Sequence, residues 1–113
     1  MQLNSVALIG RLVRDPDLHS EGASKPWAVI RLAVPRTYVG GEGRKRESVA
    51  FIDAITWGRR AEAAAKWLTK GRLVLVRGYL ETRSFVRRDG QRAEVLRIQV
   101  EDLQFFPDAP GMA

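Results

Sequence analysis

Residues 51–85 read FIDAITWGRRAEAAAKWLTKGRLVLVRGYLETRSF, which is a strand pattern, a short helical pattern and a second strand pattern in succession. Successive side chains of a strand point to opposite faces, so Phe51, Asp53 and Trp57 share one face of the first strand. Phe85 comes near the end of the second strand pattern. Two large aromatic residues on one strand, with Phe85 on the next, form a platform on which flat rings can stack.

Arginines are interleaved with these aromatic residues. Aromatic rings stack on bases and cations neutralise phosphates, and single-stranded nucleic acid requires both kinds of contact. The stretch therefore predicts a nucleic-acid surface. The arginines that accompany the platform are Arg59, Arg60, Arg77, Arg83, Arg87 and Arg88.

The composition limits the classes of protein to consider. A chain of 113 residues is large enough for one domain with a single core. Nineteen Lys and Arg against thirteen Asp and Glu give a net charge of +6. This charge indicates a polyanionic partner, and by itself it suits nucleic acid and an acidic membrane surface equally. The absence of cysteine excludes disulfides, thiolate metal sites and cysteine catalysis.

Neither a secretory signal nor a membrane span is predicted. The first residues, MQLNSV, lack a charged segment followed by a long apolar run, and no stretch approaches about 20 apolar residues. We therefore expect a cytoplasmic protein. His19 is the only histidine, so a histidine-based metal site or catalytic triad is not expected.

The first strand pattern, in residues 4–14, is apolar on both faces. Such a strand lies inside a domain or at a subunit interface. Gly10 within it predicts a bulge or a sharp bend, and Asp15-Pro16 ends it. Residues 17–26 read as a loop.

A second strand follows from Trp27 to about Pro35. Its even-numbered residues form an apolar core face, whereas Arg31, on the other face, must reach solvent, an acidic partner or a phosphate. Trp27, at the strand start, is interpreted as a packing residue, as is Trp67 in the helical pattern. A glycine-rich basic loop with Arg44, Lys45 and Arg46 comes next.

The remaining elements complete a small barrel. Asp89-Gly90 predicts a hairpin with a type I′ turn, in which both residues take positive φ. Three strands, one helix and two strands are the element order of a five-stranded Greek-key barrel of the OB type, with the helix between strands three and four. The alternative is an SH3-like barrel. The remaining predicted elements are strand three at 48–57, a helix ended by Gly71, strand four at 72–82, strand five at 93–105 and a short flexible end at 107–113.

Three motifs then resemble the bacterial single-stranded DNA-binding protein family. NSVALIGRLVRDPDL at 4–18 is similar to its opening strand, and FIDAITWGRRAEAAAKWLTKG at 51–71 to its third strand and helix. RGYLETRSF at 77–85, followed by RDGQ, resembles its fourth strand and hairpin. The resemblance runs in unbroken order from about residue 3 to residue 106.

The resemblance implies specific contact residues. The base-stacking positions are Tyr38, Phe51, Trp57 and Phe85, and the family often has tryptophan at the first, second and fourth of these. We also expect a set of arginines to contact phosphates, although no motif fixes them. These are Arg11, Arg36, Arg59, Arg83, Arg87 and Arg88.

The resemblance also implies an architecture and a role. It predicts an OB-fold DNA-binding domain at 1–106 that assembles as a homotetramer, with a dimer as the alternative. The implied function is to bind and protect single-stranded DNA, without strong sequence preference, during replication, recombination and repair, in association with the nucleoid. No cofactor or membrane partner is expected. Only Asp108 is acidic after residue 106, so the family's acidic tip, which recruits replication and repair enzymes, is not carried over.

Two other classes of function compete with this one. A nuclease needs clustered carboxylates, but Asp15, Asp53 and Glu81 lie on separate segments without a characteristic spacing, so no enzyme is expected. Asp53 is instead predicted to pair with an arginine on its own face. The second alternative is an OB-fold adaptor of the primosome type that acts mainly through protein contacts; preference for single strands over duplex distinguishes the two.

Overall fold

The computed structural model describes residues 1–20 and 25–107. The predicted flexible end, apart from Pro107, lies outside the described residues. The described elements are β1 (Val6–Leu12), β2 (Asp17–His19), β3 (Trp27–Val39), β4 (Lys45–Trp57), α1 (Gly58–Trp67), β5 (Leu73–Val86) and β6 (Arg92–Phe105).

The strands close into a barrel because β1 pairs on both of its edges. It runs antiparallel to β5 from Val6 to Arg11, and Arg11 and Leu12 also pair with β3. The rest of the order is β5, β6, β4 and β3, with β4 and β6 parallel. This confirms the predicted five-stranded OB-type Greek-key barrel. The short β2 is additional, so the helix predicted between strands three and four lies between β4 and β5.

The core occupies the inside of the barrel. Side chains alternate along β3, so Ile30 and Leu32 are fully buried while their odd-numbered neighbours are only partly buried. Val74, Val76 and Ile98 meet them from β5 and β6. The core face predicted for the second strand is therefore confirmed.

The helix contributes small residues to this core. Ala61 and Ala64 are fully buried, and Leu68, which follows the helix, joins the same apolar cluster. The helix ends at Trp67, where Leu68 adopts an extended conformation, so it stops before Gly71. The described residues form no helix that is long and apolar enough to cross a membrane.

The loop predicted at residues 17–26 is wrong in its first part. Asp17, Leu18 and His19 form β2, which pairs with Val29, Ala28 and Trp27 of β3. A segment of three residues is too short for its side-chain alternation to be recognised as a strand. Its extended conformation is stabilised by pairing with β3. Residues 21–24 lie outside the described part of the chain.

Gly10 does not form the predicted bulge, and the sharp bend given as the alternative stays a prediction. The β1–β5 register runs through it without a shift. Gly10 instead allows close approach of β3, since a Cβ there would lie 2.8 Å from the carbonyl oxygen of Ala33. The register shift lies between Arg77 and Gly78 in β5.

The β5–β6 hairpin turns at the predicted place, but its turn is not type I′. Gly90 has φ +85°, whereas no residue other than glycine has positive φ in the described ranges, Asp89 included. The Gly90 N–H donates to the Arg87 carbonyl at 3.0 Å, and the Arg87 N–H donates to Gln91 at 2.8 Å. This is a type I turn followed by a left-handed glycine.

The β3–β4 hairpin uses the same turn. The Gly43 N–H donates to Gly40 at 3.0 Å, the Gly40 N–H donates to Arg44 at 2.9 Å, and Gly43 has φ +79°. The two long hairpins, β3–β4 and β5–β6, therefore end in the same type of turn.

The first strand is buried on only one face within this single chain. Val6 and Leu8 pack against the core, but the side chain of Ile9 is 50% exposed. The expectation of burial on both faces is therefore not met by the isolated subunit.

We expect Gly78→Ala to destabilise the fold by about 3 kcal/mol or more, because overpacking forces the backbone to shift. A Cβ at Gly78 would lie 1.9 Å from the carbonyl oxygen of Gln99. Gly41→Ala is the matched control, since a Cβ there meets nothing within 4 Å. Urea denaturation measures both variants. Equal stability of the two would contradict the assigned role of Gly78.

Candidate nucleic-acid interface

One face on the outside of the barrel crosses five strands without interruption. Residues directly opposite each other in a sheet share a face, and the pairs His19–Trp27, Trp27–Trp57, Asp53–Arg97 and Glu81–Arg97 follow one another across β2, β3, β4, β6 and β5. We call this surface the outer face. Its members include His19, Trp27, Arg31, Phe51, Asp53, Trp57, Glu81, Arg83, Phe85, Arg97 and Gln99.

Three of the four predicted stacking residues lie on the outer face. Phe51, Trp57 and Phe85 are 56%, 39% and 41% exposed, respectively. The guanidinium carbon of Arg31 lies 5.9 Å from the centre of the Phe51 ring. The indole N–H of Trp57 donates to Gln99 Oε1 at 2.9 Å, which fixes one edge of the ring. The prediction that these three residues share a face is confirmed.

The fourth residue, Tyr38, is not brought onto this face. The β3–β4 register is continuous, and Tyr38 lies opposite Arg46 with the parity of the core residues. Its side chain therefore projects from the other side of the hairpin, beyond the barrel. The guanidinium carbon of Arg36 lies 5.4 Å from the centre of its ring, so these two predicted contact residues form a separate exposed pair.

The predicted phosphate-contacting arginines are spread around the molecule. Arg83 lies on the outer face, and Arg11 lies opposite Ala33, which in turn lies opposite Phe51. Arg11 also donates to the carbonyl of Gly71 at 3.0 Å. The other four occupy separate positions: Arg36 beside Tyr38, Arg59 in the first turn of α1, and Arg87 and Arg88 at the β5–β6 turn.

The carboxylates of the outer face are paired with cations. Arg31 donates to Asp53 at 3.1 Å, which confirms the predicted pairing of Asp53 with an arginine. Glu81 accepts hydrogen bonds from Arg97 and, at 2.8 Å, from Gln99. Asp15 accepts a hydrogen bond from the backbone N–H of Lys70 at 2.8 Å.

These contacts lower the pKa of the Glu81 carboxyl below its ordinary value of 4.5. The hydrogen bond from Gln99 is the main cause, the hydrogen bond and positive charge of Arg97 act in the same direction, and partial burial opposes them.

In residues 1–20 and 25–107, no three His, Asp or Glu side chains come together as a group that could hold a metal ion.

A cavity of about 250 Å³ opens between the strands of the outer face. Sequence reasoning missed Trp27 and Arg97 as part of this site. The available signal was parity, because Trp27 shares the mixed face of its strand with Arg31. The residues that line the cavity are Trp27, Ile55, Trp57, Arg83 and Arg97.

Comparison with known proteins identifies related chains. The model of the single-strand binding protein family matches residues 3–106. Single-stranded DNA-binding protein A of Bacillus subtilis is 39% identical over 109 residues, which are 96% of this chain and 62% of that protein. Single-stranded DNA-binding protein 2 of Listeria innocua is 38% identical over 104 residues, covering 92% and 64%. The chain thus spans less than two thirds of the length of these relatives.

Two solved structures have a fold similar to that of this chain. A Plasmodium falciparum SSB complex with ssDNA has a TM-score of 0.86 at 24% identity, covering 95% of this chain and 97% of that one. A deletion mutant of the single-stranded DNA-binding protein from Thermus aquaticus has a TM-score of 0.82 at 28% identity, covering 94% and 51%. The similarity to the Plasmodium falciparum structure, at 24% identity, is evidence for the fold alone.

We expect Glu81→Gln to be less stable than the parent chain near pH 7, and the difference to shrink as the pH falls below about 4.5. Folding lowers the pKa of this carboxyl, so its contribution is present above the unfolded pKa and is lost as the pH falls through the folded one. Thermal unfolding across pH measures it. Glu94→Gln, an exposed position on the opposite face of β6, is the control. A pH-independent difference for Glu81→Gln would contradict the ionic role of Glu81.

Proposed function

This chain belongs to the single-strand binding protein family, and from that premise we propose that it binds and protects single-stranded DNA, without strong sequence preference, during replication, recombination and repair. The observation that carries the proposal is the outer face, where exposed aromatic rings alternate with arginines on adjacent strands. The DNA-binding domain of the proposal comprises residues 1–106.

Binding is by stacking and by charge. Phe51, Trp57 and Phe85 present ring faces to successive bases, and every base has a face of its own, so stacking tolerates any sequence. Arg83 lines the same cavity as Trp57 and neutralises phosphate. Affinity therefore falls as salt rises, because each neutralised phosphate releases counterions.

The two hairpins extend the proposed contact surface beyond the barrel. Tyr38 with Arg36 on the β3–β4 hairpin, and Arg87 with Arg88 at the β5–β6 turn, reach parts of the strand that the outer face does not hold. Arg11 and Arg59 complete the proposed set of phosphate contacts. All these side chains are exposed, as contact with DNA requires.

The proposed assembly is a homotetramer, with a dimer as the alternative. Ile9 lies in the wall of a largely apolar cavity of about 240 Å³, and a second subunit would cover it. Several outer faces in one assembly would hold one strand at a high effective concentration. The other apolar residues that line the cavity are Ala33, Pro35, Val49 and Leu73.

The proposal involves no catalytic step and no cofactor, since stacking and charge neutralisation are sufficient for binding. With DNA as its partner, the proposed location is the cytoplasm, in association with the nucleoid. Recruitment of replication and repair enzymes is not part of the proposal.

We expect Ile9→Asp to dissociate the assembly, because a buried charge without a partner opposes association. Sedimentation equilibrium measures the mass of the parent and of the variant. Val39→Asp, an exposed apolar position outside the cavity, is the control. A parent that sediments as a monomer would contradict the proposed assembly.

Titration of labelled oligo-dT by anisotropy, with matched duplex DNA as competitor, tests the function. We expect Trp57→Ala to weaken binding by about 1–3 kcal/mol and to leave the salt slope unchanged. This is the general cost of losing one stacking ring in OB folds that bind single strands, and this family is among the examples from which it is known. Trp67→Ala is the control, because Trp67 lies 60% exposed on α1, outside the outer face.

The double variant Arg87→Ala, Arg88→Ala serves as the contrast in the same titration. Its salt slope should fall by about 1.4, since each phosphate contact to a single strand contributes about 0.7. Equal affinity of the parent for duplex and single strand, or binding of neither, would reject the proposed function and favour the adaptor.

A further inference from the structure

Three aromatic side chains form a row across β2, β3 and β4. The His19 and Trp27 rings stack with their centres 4.0 Å apart and their planes at 14°. The Trp27 and Trp57 ring centres are 5.9 Å apart, with the planes tilted by 37°. His19 is held in turn by Asp17, whose Oδ2 lies 3.1 Å from the imidazole Nε2.

Trp27 does not belong to the barrel core. It is half-buried and lies outside the apolar cluster that Ile30 and Leu32 form on the opposite face of the same strand. Its ring instead lines the cavity of about 250 Å³, together with Trp57 and two arginines. A tryptophan that served only to pack the core would have the even parity of β3.

We propose that Trp27 is a further base-contacting residue, and that the cavity between Trp27, Trp57 and Arg83 receives one nucleobase of the bound strand. His19 is a positioning residue that holds the Trp27 ring by stacking on it. This inference rests on the proposed function and adds a contact to it, because Trp27 is not among the four stacking positions given above.

The lining suits a base. The rings of Trp27 and Trp57 are tilted by 37° with their centres 5.9 Å apart, which is too close for a third ring to enter between them, so a base would stack on their exposed surfaces; the buried Ile55 side chain also lines the cavity. The volume of about 250 Å³ is larger than one pyrimidine base, so the cavity has room for a base and for part of its sugar. Stacking in this cavity replaces water with ring contacts.

The positive charges that line the cavity complement the negative phosphates that accompany a base. Arg83 lines the cavity from β5, and Arg97 lines it from β6 while its charge is shared with Glu81. Arg83 therefore brings the less compensated positive charge to this site. The indole N–H of Trp57 is already donated to Gln99, so the ring faces of Trp57 are the groups that remain for a ligand.

The stack of His19 on Trp27 lowers the cost of binding. A ring already fixed by a neighbour loses little rotational freedom when a base contacts it. His19→Phe keeps a flat ring in this position, whereas His19→Ala removes it. The two variants separate positioning by stacking from any specific role of the imidazole.

We expect Trp27→Leu to weaken binding of oligo-dT about tenfold at fixed salt, which is within the range for loss of one stacked base. Trp67→Leu on α1 is the matched control and should bind as the parent does. His19→Ala should weaken binding less than Trp27→Leu, and His19→Phe should restore it. A purely structural role for His19 and Trp27 would lower the unfolding temperature without changing the affinity of the folded chain.

Photo-cross-linking of the parent chain gives a direct readout of contact. An oligo-dT with 5-iododeoxyuridine substituted for thymidine at single positions should cross-link to Trp27 as well as to Trp57. Tryptic peptides separate the two, because Trp27 lies in residues 15–31 and Trp57 in residues 47–59. This measurement decides the matter even where Trp27→Leu fails to fold.

Two results overturn the inference. One is a folded Trp27→Leu variant with parental affinity, and the other is a cross-link at Trp57 with none at Trp27. In both, the parent still binds oligo-dT, so the proposed function stands. A parent chain that does not bind oligo-dT overturns the proposed function and this inference with it.

Discussion

Closure of the barrel is the constraint on which the rest of the molecule depends. β1 pairs with β5 and with β3, so all five barrel strands take a fixed register and every second residue must point inward. Ile30, Leu32 and Ile98 take the interior positions. The residues between them are forced outward, and the same alternation that builds the core therefore builds the outer face.

The ion pairs of the outer face serve the proposed binding more than the stability of the fold. The Arg31–Asp53 pair is about one-third exposed on both sides, and pairs of this kind contribute little to stability. Their effect is to hold side chains in position and to cancel carboxylates that would repel phosphate. The Glu81–Gln99–Trp57 chain of hydrogen bonds does both, since it compensates an acid and orients the indole ring that is proposed to stack on a base.

The exposed aromatic rings of Phe51 and Phe85 lie outside the apolar core of the fold. Phe51 and Phe85 leave apolar area in water, and a contiguous surface of this kind usually marks a binding site. The His19–Trp27–Trp57 row enlarges that surface toward β2. A strand bound there would cover rings on β3, β4 and β5 in one path.

Local periodicity in the sequence determined the strands, the helix and the shared parity of Phe51 and Trp57, because alternation and helical spacing depend only on neighbouring residues. The order of elements and the family motifs then predicted the barrel. The sequence did not predict β2, the position of the bulge at Gly78, the type of the turn at Asp89, the separation of Tyr38 from the outer face, or the place of Trp27 beside Trp57. β2, the bulge and the place of Trp27 beside Trp57 depend on the register between paired strands, which only the tertiary structure fixes, whereas the turn type and the side of Tyr38 follow from local backbone geometry and strand alternation.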